Sequence, residues 1–84
     1  MTTTLPQVHR NGTSQDELVQ QRCNVLYHLR AAQDALQEGC PNGRDYYLVP
    51  GSFELALQAH RDRAATMQGL IQEIEAEALA ISDL

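Results

Sequence analysis

Between Ser52 and Ser82 the chain reads SFELALQAHRDRAATMQGLIQEIEAEALAIS. Phe53, His60, Met67, Ile74 and Ile81 recur every seven residues, and Leu57, Ala64, Ile71 and Ala78 do the same between them. Alternating steps of three and four build the seam of a helix that packs lengthwise on other helices. Ser52 is placed to cap this helix, and Glu54 in its first turn complements the helix dipole. About 30 residues at helical rise make a rod about 45 Å long.

The sequence before it supplies one helical neighbour. Ser14-Gln15-Asp16-Glu17 has the capping-box spacing, a hydroxyl for an orphan amide and a Glu three residues on to return the bond. A stripe of Leu18, Val19, Val25, Leu26, Leu29, Ala32 and Leu36 follows at spacings that put one face against a core. Arg22 is the one charge in that stripe, and it is expected to snorkel to solvent rather than to pair across the contact. Gly39 tolerates positive φ and Pro41 cannot continue the ladder, so the helix stops there. The resulting fold is all-α, a two-helix antiparallel hairpin with helices over 14–38 and 52–82.

Residues 1–13 lack periodic apolar character and read as a disordered tail ahead of the 14–84 hairpin domain. The loop over 39–51 is long for two packed helices, which are usually joined by two to eight residues. Pro41-Asn42-Gly43 marks a turn, and Tyr46, Tyr47, Leu48 and Val49 are expected to fold back and plug the open end of the hairpin. Tyr46 to Val49 is also the one stretch where a short strand would be acceptable.

Six Arg, no Lys and eleven Asp plus Glu give a net charge of -5. That balance argues against a sequence-independent grip on nucleic acid, where phosphate neutralisation dominates. The missing Lys removes Schiff-base and phosphate-loop chemistry. Cys23 and Cys40 make no disulfide framework and read as free thiols of a reducing cytoplasm. Met1 to Pro6 has neither the basic start nor the apolar core of a signal peptide, and no apolar run approaches a membrane span. Asn11-Gly12-Thr13 is a glycosylation acceptor in form only.

His60 sits where the seam calls for an apolar side chain. Its ring is expected to be structural, bonded to Asp45 or to the hydroxyl of Tyr46 or Tyr47, with His28 and Leu29 nearby. Ser14, Ser52 and Ser82 lie at helix ends, so no triad forms around it. Cys23, His28, Cys40 and His60 lack metal-ligand spacing. Neither a cofactor nor enzymatic activity is expected. Arg44, Asp45, Tyr46, Tyr47, Arg61 and Arg63, with Arg30 facing them, are the candidate partner-binding group at the loop end; ordinary ion pairing is the competing account. A small anion held by Arg44 and Arg61 is a further possibility.

Asp16 and Glu17 open the first helix while Glu73, Glu75, Glu77 and Asp83 close the second, gathering acid at one end of the hairpin. Acids near a helix C-terminus oppose its dipole, so something outside the hairpin is expected to relieve them. With Phe53 at heptad position d, Arg61 and Glu75 occupy e while Arg63 and Glu77 occupy g, and these match only between antiparallel copies crossing near Gln68 to Leu70. The nine seam residues from Phe53 to Ile81, together with Leu70, are therefore the candidate dimer interface. The functional expectation is a protein-protein interaction module acting as a homodimeric four-helix bundle. The alternative is an acidic phage-type inhibitor or accessory factor that binds a host nucleic-acid-processing protein.

At Asn42-Gly43-Arg44-Asp45-Tyr46-Tyr47, followed by His60 and Arg63, the chain resembles short uncharacterised helical proteins of bacterial prophages and mobile elements. The likeness covers roughly the second half. It implies a bacterial cytoplasmic origin and transfers no catalytic residue.

Overall fold

A computed structural model describes residues 4–84 as an all-α antiparallel hairpin. Helix α1 runs from Gln15 to Glu38, a 3-10 turn covers Gly43–Asp45, and helix α2 runs from Ser52 to Ser82. The described residues contain no strand, Tyr46 to Val49 included. The first three residues of the expected tail lie outside the described residues. From Thr4 to Thr13 there is no helix, and the Gly12 N–H closes a turn on the His9 carbonyl at 3.1 Å.

The helix ends depart from expectation in instructive ways. At α1, Ser14 Oγ accepts the Glu17 N–H at 3.2 Å, which is half of a capping box. Gly39 ends α1 at φ -86, so its freedom to adopt positive φ goes unused; its N–H bonds to the Ala35 and Leu36 carbonyls instead. At α2 the cap is Gly51 rather than Ser52. The backbone turns into this helix through φ 82 at Gly51, a left-handed conformation that glycine adopts freely and L side chains rarely do. Ser52 is already helical, and its hydroxyl lies 2.7 Å from the Val49 carbonyl and 3.0 Å from that of Tyr46, tying the loop to α2.

Cross-helix bonds fix the register. Gln15 Nε2 donates to the Ile81 carbonyl at 2.8 Å, Arg22 pairs with Glu77, and Gln33 Nε2 donates to Gln68 Oε1 at 2.6 Å. Continued from Gln33, this register ends α1 level with the turn around Arg63, leaving the first turns of α2 without a helical neighbour. The loop covers them. Gly43 lies against the Phe53 ring, where an added Cβ would sit 3.8 Å away, and the Tyr46 ring centroid is 6.1 Å from that of Phe53. Only Tyr46 turns inward. Tyr47, Leu48 and Val49 are 77%, 80% and 62% exposed, which corrects the expected four-residue plug. Ser52 draws the Tyr46 and Val49 carbonyls toward α2, and the side chains between them point outward.

The register also separates the two helical histidines. His28 lies level with α2 near Gln72, twelve residues beyond His60, a distance of about 18 Å along the axis.

The core is thin. Among the described residues, Leu18, Leu26, Ile71 and Ile81 are its buried apolar side chains, and His60, nearer the loop, is a buried polar one. The molecule measures 63 × 22 × 17 Å and exposes 6492 Å². A compact monomer of this mass exposes about 5,000 Å². The excess comes from the rod shape.

Candidate functional site

The seam of α2 meets a seam on α1 made by Gln15, Arg22, Leu29 and Leu36 with Val19, Leu26 and Gln33. Two edges flank this contact, and heptad spacing assigns residues to each. One edge carries Cys23 and Arg30 from α1 with Arg61, Gln68 and Glu75 from α2. It is bonded within the chain. Arg30 Nη2 reaches Glu75 Oε1 at 2.7 Å, and the Gln33 to Gln68 bond lies beside it.

The other edge carries Leu18, Val25 and Ala32 from α1 with Arg63, Leu70 and Glu77 from α2. Leu29, Arg63, Thr66, Met67 and Leu70 line an open groove there of about 400 Å³, with Asp62 at its rim. Val25 stands one turn before Leu29 and is 45% exposed; Leu70 is 43% exposed. Arg63 stands at the loop end of the groove and has no ion-pair partner among the described residues.

Toward the opposite end, Arg22 Nη2 and Nε donate to Glu77 Oε1 at 3.0 and 3.1 Å, and Nη1 also reaches the Leu18 carbonyl at 3.3 Å. This corrects the expected snorkelling of Arg22. The seam brings a carboxylate within reach, and hydrogen bonds to a charged group in a half-buried place outweigh reaching for bulk water. Both Arg22 bonds use one oxygen of Glu77, while Oε2 takes none among the described residues.

Two of the gathered acids are therefore relieved inside the hairpin, Glu77 by Arg22 and Glu75 by Arg30, rather than from outside it. Asp16 and Glu17 lie in the first turn of α1, where the dipole favours them. Gln15 Nε2 covers the C-terminus of α2 through the Ile81 and Ser82 carbonyls. Sequence reasoning missed this contact, because a glutamine just inside a helix start carries no pattern of its own.

The candidate partner-binding group does not converge. Arg44 and Asp45 are exposed on the 3-10 turn, Tyr46 faces Phe53 and Tyr47 faces outward. Arg61 and Arg63 point about 200° apart on α2, one to each edge. Arg30 belongs to the bonded edge, well away from the loop.

Of the candidate dimer residues, His60, Ile71 and Ile81 are covered within a single chain. Phe53, Leu57, Ala64, Met67, Ile74 and Ala78 are half-buried, and Leu70 is open. The expectation that one shorter helix leaves this seam uncovered misses the contribution of the loop, which continues the cover past the end of α1. The His60 ring makes no hydrogen bond to Asp45, Tyr46 or Tyr47; the loop bonds to itself and to Ser52. No fully buried side-chain nitrogen or oxygen lacks a partner among the described residues, so the ring nitrogens reach solvent through the 8% of His60 left exposed.

Among the described residues, no three His, Cys, Asp or Glu side chains gather as a metal site, and no helix is long and apolar enough to cross a membrane. No protein-family model, no curated protein and no solved structure matches the chain.

Proposed function

We propose that this protein is a small, non-enzymatic interaction module that works as a homodimer, two hairpins forming a four-helix bundle that binds another protein. The observation that carries the reading is the contrast between a core of four buried apolar side chains among the described residues and an apolar edge left open at Val25 and Leu70, beside a groove that half-buried Leu29 and Met67 also line. Covering such an edge removes apolar surface from water at about 25 cal/mol per Å², which a hairpin with so thin a core needs. Tyr47 and Leu48, held outward on a loop fixed by Ser52 and Gly51, are the surface the dimer offers to a further protein.

The acidic-mimic reading has less support, because Arg22 and Arg30 neutralise Glu77 and Glu75 within the chain. Sedimentation equilibrium at tens of micromolar tests the proposal. The expected mass is twice the 9.4 kDa of one chain. A single-chain mass at that concentration would end the homodimer reading and leave the edge for a different protein.

A further inference from the structure

We infer that the two copies stack apolar edge on apolar edge about a two-fold axis at the level of Leu70, α2 lying antiparallel on α2 and α1 on α1. This rests on the homodimer reading, keeps the crossing level that the heptad charges imply, and adds the face and the stacking of α1 on α1. Leu70 and Leu29 line the same groove, one from each helix, so a single axis crosses both helices at the middle of their apolar stripes.

The charges on this edge are symmetric about the same point. Arg63 lies one heptad before Leu70 and Glu77 one heptad after it. Antiparallel stacking about Leu70 sets the Arg63 of each copy against the Glu77 of the other. Both groups have capacity for it: Arg63 has no ion-pair partner among the described residues, and Glu77 gives only Oε1 to Arg22.

The bonded edge repeats this charge pattern, Glu75 likewise giving only Oε1 to Arg30, but its positions Cys23, Arg30, Arg61, Gln68 and Glu75 offer no apolar counterpart to Leu29 and Leu70 for a second copy to cover. A two-fold axis along the rod fits less well. It lays Arg63 over the end of the other copy's α1, where the edge positions Ala32 and Gly39 carry no acid.

Spin labels on residues that face away from both edges test the register without touching the contact. Leu55 and Leu79 are 75% and 68% exposed. Leu55→Cys and Leu79→Cys are each made with Cys23→Ser and Cys40→Ser, both native thiols being exposed. Double electron-electron resonance then measures the span between copies, with sedimentation on the same samples. An axis at Leu70 predicts separations along the rod of about 27 Å from Leu79 and about 45 Å from Leu55. Equal, short spans at both positions in a dimer would overturn the antiparallel stack, and a difference that shifts the axis by a heptad would overturn the register. Either result leaves the homodimer standing. A single-chain mass would remove both.

Discussion

The two edges of the α1 to α2 contact flank one seam and do opposite things. Along the edge of Arg30, Gln33, Gln68 and Glu75, side chains reach across and bond to each other, so the chain satisfies its own polar groups. Along the edge of Val25 and Leu70, one pair reaches across, Arg22 to Glu77 toward the far end, and the rest is apolar surface bordering an open groove. A seven-residue repeat establishes that a helix is packed, but the residues just outside the repeat decide where the next neighbour goes. Here they differ by edge. The bonded edge closes the hairpin, and the apolar edge asks for another surface.

The most disruptive way to test this division is Ile71→Asp. Ile71 is 2% exposed on the seam between the edges, where a buried carboxylate costs several kcal/mol against a total stability of about 5–15 kcal/mol. Circular dichroism should show loss of helix at any protein concentration. A variant that kept its helix and lost only the dimer would mean that Ile71 faces a second copy, and the seam and edges would need redrawing.

Arg22→Ala comes next. It strands Glu77 in a half-buried position without its two charge-assisted bonds, and side-chain exposures of 22% and 21% leave water a limited role in replacing them. Urea denaturation should show a loss of about 1–3 kcal/mol. A change under 0.5 kcal/mol would put this pair in the class of exposed ion pairs and remove the distinction drawn between Glu77 and Glu75.

The helices and the loop between them were legible because each rests on a local signal. Ser14 before Asp16 and Glu17 marks one start, and the nine-residue seam marks the second helix over its full length. What was not legible depends on register. Whether Arg22 snorkels or pairs turns on which residue of α2 lies opposite it, and the spacing inside either helix does not contain that. The same holds for His60, whose expected neighbours His28 and Tyr47 end up elsewhere once Gln33 lies level with Gln68. Gly51 was hidden for a different reason. A serine at a helix start is a stronger pattern than a glycine before it, yet the path out of Pro50 requires positive φ. The apolar edge could have been read from Val25 and Leu70 together, but only by sorting both helices into edges at once.

His60→Leu probes the seam at its polar exception. The ring is buried, makes no bond to the loop and meets solvent at its tips, so a leucine there gains apolar burial without stranding a partner. The thermal midpoint should hold or rise by a few degrees, the equivalent of about 1 kcal/mol for a domain of this size. A fall of comparable size would show that the imidazole makes a polar contact important to the loop. A variant that folded and assembled normally but lost partner capture would move His60 into a binding site.

Arg30→Ala is the quietest change and the sharpest counterpart to Arg22→Ala. Arg30 also pairs with a Glu of α2, at the shorter distance of 2.7 Å, but the two side chains are 55% and 43% exposed. Water and salt compete for both groups there, and holding two long side chains in one geometry offsets much of the attraction. The expected loss is about 0.5 kcal/mol or less, shrinking further as ionic strength rises and the Debye length falls. Dimer mass should be unchanged, because the bonded edge faces away from the second copy. If Arg30→Ala weakened assembly while Arg22→Ala did not, the edges would have exchanged roles, and the dimer would stack through Glu75 rather than Leu70.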